Sequence, residues 1–221
     1  MSLTLYFVRH GETTHSKEDQ FCGALDPELT ETGREMAKAF SDHYADISWQ
    51  AVFASPMRRT VATAKYLCEQ TGLEMQQREG LREMRYGDWE DCSRDYVRQQ
   101  YPEDYERWTA EPAWNPPTGG ETAVQVASRA SAVIAEIADM YPSGNVLIAS
   151  HKTTIRIILC SLLGIDLGRY RDRIAMPVAA VSVVEFDENG PLLQRMGDRA
   201  HLPQKFLTRT GLGSPKQSDR T

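Results

Sequence analysis

The chain has 221 residues, of which 41% are hydrophobic, and a formal net charge of −6 at pH 7. This length can bury a full core in one large domain or two small ones. The negative balance disfavours nucleic acid as the main partner, and no apolar run approaches the roughly 20 residues that cross a bilayer.

Leu3–Val8 is a short apolar run leading into Arg9-His10-Gly11. It lacks the basic flank, long apolar stretch and small-residue cleavage site of a signal peptide, and reads as a first buried strand. Glu31–Tyr44 places Met36, Phe40 and Tyr44 at i, i+4 and i+8, which predicts a helix. Ala51–Ala54 predicts a second strand, and Ser55-Pro56 a helix start with Ser55 as N-cap and Pro56 at the first position. Val61, Ala64, Tyr66 and Leu67 continue that helix, and Leu73–Gln77 predicts a third strand. The segment 80–117 is rich in Arg, Asp, Glu and aromatics, with short helices expected over Ser93–Gln100 and Glu103–Thr109. It is the expected lid and specificity segment. Arg85, Tyr86, Tyr101, Tyr105, Trp108 and Trp114 would either wall a pocket or pack the lid itself.

Pro116-Pro117 breaks the chain, and Thr118-Gly-Gly-Glu121 has capping-box spacing. Ala123, Ala127, Ala130, Ile134, Ile137 and Tyr141 then form one apolar stripe of a long helix. Asn145–Ala149 predicts a fourth strand, His151 follows it, and Thr154–Leu163 reads as a helix. Val178–Phe186 and Leu192–Met196 flank Asp187-Glu-Asn-Gly190, a hairpin signal whose exposed edge is where two copies would pair as a homodimer. Residues 1–207 are expected to form a single domain, and 208–221 a flexible tail. Alternating strands and helices predict an α/β fold: a three-layer α/β/α sandwich with a largely parallel central sheet and a small helical lid.

In such sheets ligands bind beyond the carboxyl ends of the strands. Arg9-His10-Gly11-Glu12-Thr13 follows the first strand, Ser55-Pro-Met-Arg58-Arg59 the second, Leu81-Arg82-Glu83-Met-Arg85 the third and Ser150-His151-Lys152 the fourth. These residue types suit phosphoryl transfer. Arginine forks match phosphate oxygens. Helix amino termini add backbone donors, and Arg59 would lie in the first turn of its helix. A neutral imidazole is a nucleophile, and surrounding guanidinium groups keep it unprotonated. Gly11 would let backbone pass close to bound phosphate. Glu83 can protonate a leaving oxygen, since a bound phosphate dianion favours its acid form.

Arg9-His10-Gly11-Glu12-Thr13 resembles the signature of the histidine phosphatase (phosphoglycerate mutase-like) superfamily. Ser55-x-x-x-Arg59-Thr-x-x-Thr63-Ala64, Leu81-x-Glu83-x-x-x-Gly87-x-Trp89-Glu90 and Ser150-His151 resemble its later motifs in order. Gly23-x-x-Asp26-x-x-Leu29-Thr30 and Gly119-Gly120-Glu121-Thr122 also look like family elements, and the likeness spans roughly residues 3–200. The resemblance implies a metal-independent phosphatase without a cofactor, acting on a small phosphorylated metabolite. In it His10 is the nucleophile, Arg9, Arg59 and His151 hold the phosphoryl oxygens, and Glu83 is the general acid and base. Phosphate and substrate binding is expected to extend to Gly11, Ser16, Cys22, Gly23, Arg85 and Lys152. Ser16 stands where the family often has Asn, Lys152-Thr153 where Gly-rich residues are common, and Asp91 where Gly is frequent. Lys152 would offer a cation to a second anionic group.

The family's mutases carry a longer insertion between acid and second histidine. The compact stretch from Glu83 to His151 therefore favours a phosphatase over a phosphoglycerate mutase-type reading. A catalytically idle binding member is the reading from another class. His15 and His43 lack comparable context, while His201 and Arg58 are outlying candidates for contact with substrate. Cys92-x5-Arg98 matches the spacing of cysteine phosphatases but encloses no glycine and follows no strand. Cys22, Cys68, Cys92 and Cys160 form no CxxC pair, which argues against zinc or disulfide frameworks and suits a cytoplasmic setting.

Overall fold

The computed structural model describes residues 2–207, so the expected C-terminal tail lies outside the described residues. Its strands are β1 (Leu3–Arg9), β2 (Trp49–Ala54), β3 (Met75–Gln77), β4 (Gly144–Ser150), β5 (Val181–Asp187) and β6 (Gly190–Asp198). Its helices are α1 (Thr14–Glu18), α2 (Glu31–Tyr44), α3 (Arg58–Thr71), α4 (Arg94–Gln100), α5 (Pro102–Ala110), α6 (Ala123–Met140), α7 (Lys152–Leu163), α8 (Tyr170–Arg173) and α9 (Gln204–Leu207).

The strands form one six-stranded sheet of order β3-β2-β4-β1-β5-β6. β1 to β4 pair in parallel, while β5 lies antiparallel to both β1 and β6. The largely parallel α/β sheet is thus as expected. Successive side chains of a strand point to opposite faces. Leu5, Phe7, Val146 and Ile148 accordingly meet Val126, Ile134 and Ile137 of α6 and Ile158 of α7 on one side. Val8, Leu147 and Ala149 meet Phe40 and Tyr44 of α2 and Ala64 and Leu67 of α3 on the other. The central strands are apolar in both phases because each face is covered by helices.

Several boundaries differ from expectation. α3 begins at Arg58, with Met57 as its N-cap and no side-chain cap bond. Ser55 does not cap it, because its hydroxyl is drawn to His151 Nε2 at 2.8 Å. The capping box of α6 is Thr122 with Gln125 rather than Thr118 with Glu121. Thr118 instead donates to Asp104 Oδ2 at 2.5 Å, and Gly119 adopts a left-handed φ of 70°, a turn that no helix accommodates. α7 starts at Lys152, two residues early. Val178–Ala180 stay outside β5 because Ala179 turns at φ 55° and donates its amide to the His10 carbonyl.

Within segment 80–117, α4 and α5 enclose Trp89, Val97, Tyr105 and Trp108 together with Phe21. Tyr101 joins this cluster, whereas Trp114 is 70% exposed. Strand β6 forms one edge of the sheet, with Leu192 and Met196 exposed. No helix among the described residues is long and apolar enough to cross a membrane.

Candidate active site

Strand register assembles the site. β1 and β4 run parallel with Arg9 opposite Ser150, so the next residues, His10 and His151, leave the sheet side by side. Their ring centroids are 5.4 Å apart. β2 ends with Ala54 opposite Ala149, which delivers the start of α3, and with it Arg59, to the same edge. The turn after β3 is tied in by Ser150 Oγ, which donates to the Leu81 carbonyl at 2.7 Å, and Glu83 follows two residues later.

His10 Nδ1 lies 2.8 Å from the Gly11 carbonyl oxygen. A carbonyl can only accept, so Nδ1 carries the proton and Nε2 keeps its lone pair. Burial, then the Arg59 and Arg9 guanidinium groups, hold the His10 imidazolium well below its usual range. Arg9 donates through Nη1 to the Met176 carbonyl at 2.6 Å, and its buried Nε has no hydrogen-bond partner. Burial lowers Arg9 to about 10. Arg59, only 1% exposed, donates from Nε to His151 Nδ1 at 3.2 Å and from Nη1 to the Leu25 carbonyl at 2.7 Å. Its Nη2 reaches the Gly23 carbonyl at 3.2 Å. With Nδ1 accepting, His151 Nε2 is the donor to Ser55 Oγ. Burial, Arg59 and His10 hold His151 well below the ordinary histidine range too.

Glu83 is gripped by the first turn of α7. Its Oε1 accepts from Met84 N at 2.9 Å and from Thr154 N at 3.2 Å, and its Oε2 from Thr153 N at 3.2 Å. A helix amino terminus presents such free donors. Arg129 donates to the Glu83 carbonyl and pairs with Glu121, which fixes the backbone behind the carboxylate.

Arg9, His10, Ser16, Cys22, Gly23, Arg59, Glu83 and Lys152 line one solvent-open cleft of about 750 Å³. His151 stands behind Arg59. Gly11 serves another purpose than expected. A Cβ there would fall 2.4 Å from the Gly33 carbonyl oxygen, and its amide is spent on Thr63 Oγ1 at 3.0 Å. The glycine is required by close approach of α2. Arg85 is not brought to the cleft. Reciprocal bonds between its backbone and Glu121 turn its side chain outward, where it is exposed. The Ser16 hydroxyl is occupied by the backbone of Thr13 in the capping box of α1. Burial raises the Cys22 thiol to about 11, so it stays protonated near neutral pH.

Arg58 pairs with Asp26 and Glu28 at the surface, and Arg82 with Glu79. His201 is buried beside Phe40 and Tyr44, away from the cleft, and His43 is an exposed neighbour on α2. Tyr86 and Trp108 reach the cleft wall, whereas Tyr101 and Tyr105 pack the α4–α5 cluster. His15, set aside in the sequence, lines the cleft and bonds Asp91 Oδ1 at 3.1 Å. Arg94, Arg156 and Arg171 also line it and escaped sequence reading. Arg156 lies four residues after Lys152, on the same face of α7. Starting that helix two residues earlier would have exposed the pattern. Among the described residues, no group of three or more His, Cys, Asp or Glu is arranged to hold a metal ion.

A family model described as the histidine phosphatase superfamily (branch 1) matches residues 5–199. The chain is 28% identical over 203 residues to phosphoserine phosphatase 1 of Hydrogenobacter thermophilus, covering 92% of this chain and 96% of that protein. It is 29% identical over 174 residues to glucosyl-3-phosphoglycerate phosphatase of Mycobacterium tuberculosis, covering 75% and 78%. The solved structure of Bacillus stearothermophilus YhfR superposes with a TM-score of 0.84 at 28% identity, covering 90% of this chain and 98% of that one.

Proposed function

The chain belongs to the histidine phosphatase superfamily and is a phosphoric monoester hydrolase, and from that premise we propose that it works through a phosphohistidine on His10. The observation that carries this reading is the locked tautomer of His10. Its Nδ1 proton is spent on the Gly11 carbonyl, and Nε2 is left as a lone pair beside two buried guanidinium groups. In the first step Nε2 forms a bond to phosphorus while the bond to the leaving oxygen breaks. A protonated Glu83 gives its proton to that oxygen, and the alcohol departs. In the second step Glu83, now a carboxylate, takes a proton from water as the water oxygen attacks phosphorus. Inorganic phosphate leaves, and His10 returns to its neutral form.

Arg9 and Arg59 face charge that builds on the phosphoryl oxygens. Arg9 is anchored through Nη1 to the Met176 carbonyl, and Arg59 through Nη1 and Nη2 to the Leu25 and Gly23 carbonyls, so both reorganise little during transfer. His151 accepts from Arg59 Nε through Nδ1 and so orients the Arg59 guanidinium, in place of the direct hold on the phosphoryl oxygens that the family resemblance implies. These groups supply the positive charge of the site, and the steps call on no metal or cofactor. The substrate is a small phosphorylated metabolite that enters the cleft between the strand ends and the 80–117 segment, which acts as the specificity lid.

Rapid quenching of turnover with a radiolabelled ester tests the reading. An acid-labile, base-stable label on His10, absent from His10→Ala, is the expected result, with phosphate release persisting in excess chelator. A label elsewhere overturns the mechanism. Phosphate that moves between positions of phosphoglycerate without release overturns the hydrolase assignment in favour of a mutase. Equal, slow release by wild type and His10→Ala favours an idle binding protein.

A further inference from the structure

Two buried guanidinium groups, Arg9 and Arg59, already match the two negative charges of a phosphate ester. The cleft holds more positive charge than that. Lys152 and Arg156 occupy i and i+4 on α7, and Arg94 and Arg171 stand on the same wall. Arg94 is neutralised by Asp19, with Nε 3.0 Å from Oδ2. Among the described residues no carboxylate forms an ion pair with Lys152, Arg156 or Arg171. Arg156 is 6% exposed, and its Nε is buried without a hydrogen-bond partner. Like charges at i and i+4 oppose each other on a helix, and an unpaired buried cation is costly. Burial and then the charges of Arg156, Arg9 and Arg94 press the Lys152 ammonium well below its usual range. An anion placed among these groups would relieve both costs. Arg171 is already oriented for this, stacked 3.8 Å over the Trp108 ring.

We propose that Lys152, Arg156 and Arg171 form a subsite for a second anionic group, so that this hydrolase prefers phosphate monoesters carrying a carboxylate or a second phosphate over esters of neutral alcohols. The inference rests on the cleft being the site of phosphoryl transfer. It adds a substrate class, since His10 chemistry alone would accept any accessible ester. Arg156 and Arg171 lie on different elements, α7 and α8, so the added group would be held by donors from two directions along one wall and its ester end steered toward His10.

The test uses matched pairs that differ in one anionic group: 3-phosphoglycerate against glycerol 3-phosphate, and fructose 1,6-bisphosphate against fructose 6-phosphate. Wild type is expected to favour the more anionic member of at least one pair by about 10- to 100-fold in kcat/KM, the size expected for charged hydrogen bonds. Which pair responds tells carboxylate from phosphate. In Arg156→Gln and Arg171→Gln the ratio within that pair should fall toward one. Arg171, less deeply buried than Arg156, provides the variant that keeps its fold if Arg156→Gln does not. A wild-type ratio near one in both pairs, or a ratio unchanged in both variants, overturns the subsite.

A protein that turns over no ester, an aryl phosphate included, defeats the proposed function instead. The subsite is then judged by binding. The more anionic member of a pair should raise Tm more than its partner in wild type and lose that advantage in the variants, and an equal shift in wild type overturns it.

Discussion

The bond from His10 Nδ1 to the Gly11 carbonyl and the guanidinium groups of Arg9 and Arg59 act on the same imidazole in different ways. The first chooses which nitrogen is free, and the second keeps it free as pH falls. Because the folded protein holds His10 below its usual range, the acid limb of kcat/KM should lie below about 6.5, the ordinary histidine value. Replacing Arg59 with Gln removes the larger charge contribution, so that limb should move upward toward 6.5. A pH–rate profile of Arg59→Gln showing the limb unmoved would separate Arg59 from the ionisation of His10. Glu83 is held by three backbone amides, those of Met84, Thr153 and Thr154. If it shuttles the proton as proposed, Glu83→Gln should keep substrate binding and lose about 10²- to 10⁴-fold in kcat. The loss should be smallest for an aryl phosphate, whose leaving group needs little protonation.

Helix α6 shows how local chemistry sets an element boundary. Thr118 and Thr122 each begin a plausible capping pattern, but only Thr122 makes reciprocal bonds with its third successor, Gln125. Thr122→Ala should therefore destabilise the protein by about 1 kcal/mol. Chemical denaturation should show this as a lower midpoint with an unchanged slope, and Thr118→Ala should act through Asp104 and Trp89 instead. Helix α2 was legible to the residue from Met36, Phe40 and Tyr44, because one apolar face is buried along its length, Phe40 and Tyr44 against the sheet and Met36 against Val178, Leu202 and Phe206. Helix α7 was not. Its buried set includes Thr153, Thr154 and Arg156 as well as its isoleucines, so the apolar period alone starts two residues late. Those two residues bring the first-turn amides to Glu83 and align Lys152 with Arg156.

The whole molecule carries several histidines that are buried and therefore favoured in the neutral form. Burial lowers His201 to about 4, and His10 and His151 are pushed in the same direction. The unfolded chain binds these protons near the ordinary value of about 6.5, so the folded state holds fewer protons below that pH. Stability should be fullest above about 6.5 and decline as pH falls toward 4, with His201 contributing up to about 3 kcal/mol of the loss. Calorimetry across that window should show Tm falling with acid. His201→Leu, which keeps an apolar contact with Phe40 and Tyr44, should flatten the slope.

The amino-acid sequence by itself determined the α/β class, most strands and helices, and the five residues His10, Arg59, Glu83, His151 and Arg9 at strand ends. Those features are local, since an apolar run, a helical stripe or a motif is complete within a dozen neighbours. The tertiary structure decided what depends on residues distant in the chain. Gly11 answers to the Gly33 carbonyl, Ser55 to His151, and Arg85 is turned away by Glu121. Arg94, Arg156 and Arg171 reach one cleft wall from three separate elements. Close packing and the cost of burying an unpaired charge act through space, and only the closed fold establishes which distant groups meet.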